Sequence, residues 1–435
     1  MNVNYANKHI AILGYGIEGK SAATYFKARG ANVTICEKDS GVQQTDEFEW
    51  QTGDSYLEHL DEFDLVVRSP GVRPDLFTTT TPVTTGTIMA LEKYREQVVG
   101  VTGTKGKGTT ATLIAKLLEA AGKTVHLGGN IGRPVFEFID DIHADDVVVL
   151  ELSSFQLIDI PTSPHLAVVV MMETDHLDWH IGMDEYIEAK HQIVAHQVLD
   201  DTVVYWGDNE LVDAVIKDAK SQKLAITERL AADSSHLLLG EQPLLALDKL
   251  GLPGAHNVRN AAIALNTANQ FVELTDEVQA TWESVLSSFT GLKYRLQKTR
   301  EKGAVSYIND SVSTTPGTAA AAIEAYEDPR VVILGGRPKG GSFKGLAEVA
   351  AKSTNLKGLV LIGEASDAIA QALSEAGYEG QKSQRSDTLE HAVKTAEALL
   401  GPRGLIILSP GCASFDMFQN IYDRGEQFDQ IVLNR

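Results

Sequence analysis

An apolar run that opens at Val98 leads into Gly100-Val101-Thr102-Gly103-Thr104-Lys105-Gly106-Lys107-Gly108-Thr109-Thr110, and an apolar-periodic stretch follows. A glycine-rich turn in that place demands a strand–loop–helix unit. Its glycines let backbone amides close around an anion, and the helix behind it aims a positive N-terminus at the same point. Lys107 adds a point charge, and a hydroxyl can hold a magnesium ion, so the loop reads as a cradle for a nucleoside triphosphate. The spacing departs from the common pattern twice. Gly100 lies six residues before Gly106 where five is usual, and Gly108 fills the slot after the lysine that a Ser or Thr normally takes. Thr109 or Thr110 must then supply the hydroxyl. Leu113, Ile114, Leu117 and Leu118 recur at helical spacing from Thr109 to Ala121, and Gly122 stops the helix. The competing reading is a glycine-rich turn with an incidental lysine.

At 435 residues the chain exceeds one core and predicts about three domains. A formal charge of −21 argues against nucleic acid and against an anionic membrane as partners, because both select basic surface. Anionic ligands must instead be held by helix termini and single lysines. Cys36 and Cys412 stand far apart with no metal-like or disulfide-like spacing, which points to a reducing, cytoplasmic setting. The stretch Met1 to Lys8 is polar, and no run approaches the ~18 apolar residues of a membrane helix.

Short apolar runs alternate with amphipathic stretches throughout, the rhythm of parallel sheets with crossover helices. His9 to Leu13, Asn32 to Cys36 and Asp64 to Val67 form one set; Val98, Thr124 to Leu127, Val147 to Leu150, Leu166 to Val170 and Thr202 to Tyr205 form another. A further set runs through Val305 to Ile308, Val331 to Leu334, Gly358 to Ile362 and Leu405 to Leu408. The expected fold is α/β, with three consecutive domains over residues 1–93, 94–291 and 292–435: Rossmann-like, P-loop ATPase and Rossmann-like. The threonine-rich stretch Thr78 to Thr85 reads as a surface loop.

Three other places carry chemistry. Gly14-Tyr15-Gly16-Ile17-Glu18-Gly19 follows the first strand and Glu37 ends the second, a pyrophosphate-binding pattern that a dinucleotide or a UDP-sugar would satisfy equally. Ser69-Pro70-Gly71 would sit on the same carboxyl edge, as a ligand loop or a plain turn. Glu151 ends the strand Asp146 to Leu150, where it could complete a magnesium shell, since that ion takes only one or two carboxylates beside phosphates and water; a helix-capping glutamate is the alternative. Asp175-His176-Leu177-Asp178-Trp179-His180 invites a zinc reading, but the spacing fits no standard zinc site and the phosphate loop favours a hard cation.

Taken with Gly128-Gly129-Asn130-Ile131-Gly132, Glu151 to Gln156 and Gly254-Ala255-His256-Asn257-Val258-Arg259-Asn260, these motifs resemble the Mur ligases of peptidoglycan synthesis over essentially the whole chain. Within that family, Gly14 to Gly19, Asn309-Asp310-Ser311, Gly335 to Gly340 and Ser409 to Ser414 resemble the member that adds D-glutamate to UDP-N-acetylmuramoyl-L-alanine. The resemblance implies a monomeric enzyme that uses ATP and Mg2+. It implies an ATP site of Gly103, Thr104, Lys105, Gly106, Lys107, Gly108, Thr109, Thr110, Asn257, Asn260, Arg295 and Asp310. Thr109, Glu151, His176 and a carbamylated Lys190 would serve metal, and Lys107, Glu151, His176 and Lys190 would be catalytic. Ile17, Glu18, Glu37, Lys38, Ser69, Gly71 and Asn130 would hold the uridine substrate, and Thr314, Lys339 and Ser414 the D-glutamate. From the residues alone, Lys190 is an exposed helix lysine, whereas Lys339, on a glycine-rich turn after Val331 to Leu334, suits a dicarboxylate amino acid, with a solvated loop lysine as the alternative.

Several positions depart from the resemblance. Gly108 is similar to the folylpolyglutamate synthetases, which share the ATPase core; Val312 stands in place of a lysine, Met171 in place of an asparagine, and Ile421 in place of an aromatic residue. The rival readings are a sister ligase acting on folate or adding L-glutamate, an NAD-dependent oxidoreductase built on Gly14 to Gly19 and Glu37, and a non-catalytic nucleotide-binding protein.

Overall fold

The computed structural model describes residues 4–175, 179–252, 254–338, 342–378 and 383–435. It divides into two compact units at Phe289/Thr290. The first unit holds two parallel sheets. One comprises β1 (His9–Leu13), β2 (Asn32–Glu37), β3 (Glu49–Thr52), β4 (Leu65–Arg68) and β5 (Val83–Thr84), in the order β3-β2-β1-β4-β5. The other comprises β6 (Val98–Thr102), β7 (Val125–Gly129), β8 (Val147–Glu151), β9 (Leu166–Val169), β10 (Thr202–Trp206) and β11 (Gln222–Ile226), in the order β11-β10-β9-β6-β8-β7. An antiparallel hairpin, β12 (His236–Leu239) and β13 (Gln242–Ala246), completes it. The second unit has one sheet of β14 (Gln297–Lys302), β15 (Ala304–Asn309), β16 (Arg330–Gly335), β17 (Leu356–Ile362), β18 (Ser383–Arg385) and β19 (Arg403–Leu408), in the order β14-β15-β19-β16-β17-β18. In it β14 pairs antiparallel and the remaining strands run parallel.

The first unit's helices are α1 (Ile17–Lys27), α2 (Gly86–Tyr94), α3 (Lys107–Ala120), α4 (Ser154–Leu157), α5 (Met183–Ala195), α6 (Glu210–Val215), α7 (Glu228–Ala231), α8 (Ala255–Ala268) and α9 (Asp276–Ser288). The second unit's are α10 (Pro316–Glu324), α11 (Lys344–Lys352), α12 (Ser366–Glu375), α13 (Leu389–Leu400) and α14 (Ile421–Leu433). Every residue of β6, β8 and β9 is buried, because helices cover both faces of the sheet, and so these strands are written as unbroken apolar runs. Leu113, Ile114, Leu117 and Leu118 are buried on α3, as their spacing predicts. The helix starts at Lys107, two residues before the periodicity announces it, since Lys107 and Gly108 carry no apolar signal. The threonine-rich stretch is a surface loop only at its start. Thr81, Thr84 and Thr85 are buried, β5 runs through Val83 and Thr84, and the Thr85 hydroxyl caps α2 by accepting from Ile88 N.

Strand order places the candidate loops. In an open parallel sheet, ligands bind outside the carboxyl ends of strands where the order reverses. Such points fall at β1/β4, where Gly14–Gly19 and Ser69–Gly71 emerge, and beside β6, where Gly103–Lys107 emerges. In the second unit β19 inserts between β15 and β16, which brings together the segments that follow all three strands.

Candidate active site

The phosphate loop is built to one shape. Gly103 has φ +145, and a Cβ there would lie 2.4 Å from Val170 Cγ2; Gly106 has φ +89, and a Cβ would lie 2.4 Å from Asn260 Oδ1. Both positions therefore require glycine. Thr104 N donates to Met171 O (2.8 Å), Thr104 Oγ1 accepts from Glu173 N (2.9 Å), and Lys105 pairs with Glu173 (2.7 Å), so the segment after β9 straps the loop down. Lys107 Nζ lies across the loop and donates to the carbonyls of Gly103 (3.0 Å) and Thr104 (2.8 Å). Thr109 is half-buried in the first turn of α3. Behind it, Thr110 is fully buried and its hydroxyl has no hydrogen-bond partner among the described residues. Next to the loop, a cavity of about 150 Å3 is lined by Met171, Trp206, His256, Arg259 and Asn260, with the Arg259 guanidinium stacked 5.1 Å from the Trp206 ring centre. Asn257 and Asn260 both lie in the first two turns of α8. The larger hollows, about 940 Å3 between α13 and α14 and about 580 Å3 beside α1, hold almost none of these groups, so chemistry rather than size locates the site.

At the carboxyl end of β8, Glu151 is buried and one of its oxygens accepts from Asn130 Nδ2 (2.8 Å). The resemblance implies a uridine-side role for Asn130 and a metal role for Glu151; the fold joins the two side chains. Lys190 is 2% exposed, against the surface position its helix suggests. Its Nζ donates to Gly103 O (2.8 Å) and Thr102 Oγ1 (3.2 Å), and burial, reinforced by the charge of Lys107, pushes the amine well below the usual lysine range. Among the described residues no three His, Cys, Asp or Glu groups cluster as a metal site. A magnesium ion still fits these donors, because it takes few carboxylates and shares phosphate oxygens and water. His176 lies outside the described residues.

The glycines of the N-terminal loop divide three tasks. Gly14 turns at φ +83; a Cβ on Gly16 would meet nothing within 4 Å, leaving room for a ligand's close approach; Gly19 packs α1 on β1 so tightly that a Cβ would sit 1.9 Å from Gly14 O. Glu37 accepts from Tyr15 N (2.7 Å) and Asp39 N (3.1 Å), and Ser69 Oγ donates to Gly14 O (3.0 Å). Ile17 (66% exposed), Lys38 and Gly71 face outward. Glu18 accepts from Gln156 Nε2 (2.7 Å), and its carboxyl is pushed up by burial. That bond ties the uridine-side loop to the segment after Glu151.

Sequence reasoning missed the ties around it. Buried Arg68 pairs with Asp159 (2.5 Å), and Arg73 pairs with Glu185 (2.9 Å) while stacking on Trp179 (4.7 Å). Buried His180 bridges Glu185 Oε2 (3.0 Å) and Ser154 Oγ (2.8 Å). The two arginine pairs and the His180–Ser154 bond join residues far apart in the chain, so no local spacing could have disclosed them.

In the second unit, Asp310 is buried and accepts from Ser409 Oγ (2.7 Å) and Leu296 N (3.1 Å); burial pushes its carboxyl up to about 6. Exposed Arg295 stands between Tyr294 (φ 61) and Leu296 (φ 43), two left-handed non-glycine residues. Such backbone persists only where the surroundings impose it, here through the Leu296–Asp310 bond. Thr314 is half-buried, and Ser414 is fully buried with a hydroxyl that has no partner among the described residues. Lys339 lies outside the described residues.

Residues 101–268 match the Mur ligase middle domain and residues 294–412 the Mur ligase glutamate ligase domain. The UDP-N-acetylmuramoylalanine--D-glutamate ligase of Symbiobacterium thermophilum is 34% identical, over 97% of this chain and 97% of that protein. The enzyme of that name from Clostridium novyi is 34% identical over 98% and 97%. The chain belongs to the Mur ligase family. Among solved structures, the MurF ligase from Thermotoga maritima in complex with ADP superposes with a TM-score of 0.57 at 17% identity, over 99% of this chain and 96% of that one. The murein peptide ligase mpl from Psychrobacter arcticus gives 0.53 at 17% identity, over 97% and 99%. At those identities the likeness establishes a shared Mur ligase fold of parallel α/β sheets. Among the described residues no helix is long and apolar enough to cross a membrane.

Proposed function

We propose that this Mur ligase joins D-glutamate to UDP-N-acetylmuramoyl-L-alanine and converts ATP to ADP and phosphate, in cytoplasmic synthesis of peptidoglycan precursor. The near full-length likeness to relatives of that name supports the reading. The observation that carries it is the set of groups around the strapped Gly103–Thr110 loop: Lys107 across it, Glu151 at the end of β8 and Lys190 buried beneath it. The loop's amides and Lys107 would take the triphosphate, Asn257 and Asn260 the adenine side, and Arg295 and Asp310 the remaining nucleotide contacts. We assign residues 1–93 to the uridine substrate, 94–291 to ATP and 292–435 to the amino acid.

A carboxylate and an amine do not condense in water without activation. The carboxylate oxygen of the muramoyl-alanine attacks the γ-phosphorus, ADP departs, and the amine of D-glutamate then displaces phosphate from the acyl carbon. Developing negative charge meets Lys107 and the amides at the start of α3, donors held in place before the reaction begins. Thr109, Glu151, His176 and Lys190 would hold magnesium, which neutralises phosphate charge. A neutral lysine amine is the form that adds carbon dioxide, releasing a proton. The downward push on Lys190 therefore favours a carbamate, which would give the site an additional carboxylate. Thr314, Lys339 and Ser414 would hold the amino acid. Phosphate release from ATP, Mg2+ and UDP-N-acetylmuramoyl-L-alanine, screened over D-glutamate, L-glutamate and other amino acids, tests the assignment. The expected result is release with D-glutamate alone, and no release with it refutes the proposal.

A further inference from the structure

Arg424, in the first turn of α14, is fully buried, yet among the described residues no carboxylate lies within ion-pair distance of it. Its guanidinium donates to neutral acceptors in two segments. Nε donates to Ser311 Oγ (3.0 Å), Nη2 to Ser311 O (2.8 Å) and Nη1 to Cys412 O (3.1 Å). Ser311 Oγ in turn donates to Ile421 O (2.7 Å), which closes the loop back onto α14. The turn after β16 also seats against it, because a Cβ on Gly336 would lie 3.3 Å from Nη1 and 2.3 Å from Ala413 O. One side chain thus ties together the segments that follow β15 and β19 and lies beside the turn that follows β16. Burial pushes the guanidinium down to about 10, so holding it here is costly and its replacement by a neutral residue would relieve that cost.

The chain beyond one of the segments it ties holds two buried polar atoms that lack partners. Ser414, two residues beyond Cys412, is fully buried with an unpartnered hydroxyl, and Asp416 Oδ1 is likewise buried and unpartnered among the described residues. We propose that Arg424 is a positioning residue for the amino-acid substrate, holding the Ser311 and Cys412–Ser414 segments at the spacing that substrate needs. The inference rests on the amino-acid role proposed for the second unit. It does not make Arg424 a contact to the substrate. The fork geometry matters more than the charge, since a lysine ammonium lacks the planar fork whose separate nitrogens reach Ser311 Oγ, Ser311 O and Cys412 O.

The test is steady-state phosphate release by the parent, Arg424→Lys and Ser311→Ala, each of the three substrates being varied in turn. Arg424→Lys is expected to raise the amino-acid KM about tenfold or more, as loss of a fork of charge-assisted bonds does, with the KM for ATP and for the nucleotide sugar within about threefold. Ser311→Ala should move the same constant in the same direction by less. Equal rises in all three constants, or an unchanged amino-acid KM in both variants, overturn the proposal. If Arg424→Lys fails to fold, Ser311→Ala decides by the same criterion. The varied amino acid is the one the parent uses best. A parent inactive with D-glutamate refutes that assignment while another amino acid still judges Arg424, and a parent inactive with all of them overturns both.

Discussion

Gly106→Ala separates the cost of backbone strain from the cost of a displaced nucleotide loop. Gly106 sits at φ +89, where an L-residue costs about 1–2 kcal/mol. The added Cβ would also lie 2.4 Å from Asn260 Oδ1, and real Cβ atoms do not approach below 3.0 Å, so one of the two must move by more than half an ångström. Asn260 is buried on α8, and the loop is tied to the Met171–Glu173 segment, so neither moves freely. Gly122→Ala is the matched control: its φ is +84, nothing lies within 4 Å, and it stands at the far end of α3. Gly122→Ala should lose about 1–2 kcal/mol and Gly106→Ala at least as much, each kcal/mol being worth roughly 2–4 °C in Tm for a unit of this size. Only Gly106→Ala should lose nucleotide. A catalytic group misplaced by about 1 Å costs on the order of a hundredfold, and kcat/KM for ATP should fall by roughly 30- to 100-fold. Thermal melts and phosphate release with ATP varied supply both readouts. An ATP kcat/KM for Gly106→Ala within threefold of Gly122→Ala would refute the claim that the loop is preformed around these contacts.

Lys107→Ala should lower turnover by about a hundredfold or more while the melt stays near that of the parent; activity within a few-fold of the parent contradicts its role in charge neutralisation. Glu185 is held down to about 2, chiefly by the hydrogen bonds from Arg73 and then by Ile181 N and His180. Because this depressed group stabilises the fold above the ordinary carboxyl range and loses that contribution as pH falls toward 2, the parent should exceed Glu185→Gln by up to about 3 kcal/mol at pH 7. Urea titrations from pH 7 downward should find the gap closing below about pH 4.5, and a gap independent of pH removes the explanation. Protein equilibrated with 13C-labelled bicarbonate should give a carbamate NMR signal that Lys190→Arg lacks; an identical spectrum from the variant dismisses the modification.

What the chain discloses in one dimension is what local physics decides. Strands such as β1, β6 and β8 stand out because sheets covered on both faces need unbroken apolar runs, and glycine-bounded loops follow β1 and β6. The glycines at 14, 16, 19, 103 and 106 signal their own backbone needs. Lys190 is different. Its helix reads Glu188-Ala189-Lys190-His191-Gln192, polar enough to pass for a surface, and only packing against β6 turns that lysine inward. The edge strand β3, Glu49-Trp50-Gln51-Thr52, carries no apolar run and is half-solvated, so nothing local announces it. Arg68–Asp159 and Arg73–Glu185 span 91 and 112 positions, distances at which sequence spacing holds no information about contact.

A protein with a formal charge of −21 whose proposed substrates are all anions has to create positive potential locally. Several of its outward cations do not do so, because they sit beside carboxylates: Lys8 with Asp64, Arg259 with Glu228, Lys298 with Glu301. Lys190 and Arg424 follow another rule. Both are buried, both donate to backbone carbonyls and hydroxyls of the loops they support, and among the described residues neither has a carboxylate within ion-pair distance. A carbonyl satisfies a donor's geometry without cancelling its charge, so Arg424 stiffens its loops and leaves a field pointing into the space they border, whereas burial shifts the Lys190 amine toward its neutral form. Salt screens that field weakly, because the charges lie inside the protein rather than across a Debye length of solvent. If Lys190 takes up carbon dioxide the site gains a negative charge and becomes a seat for a divalent cation, whereas Arg424, which cannot lose its proton under ordinary conditions, stays positive. The same device thus serves opposite ends, and what separates them is that an amine can be modified and a guanidinium cannot.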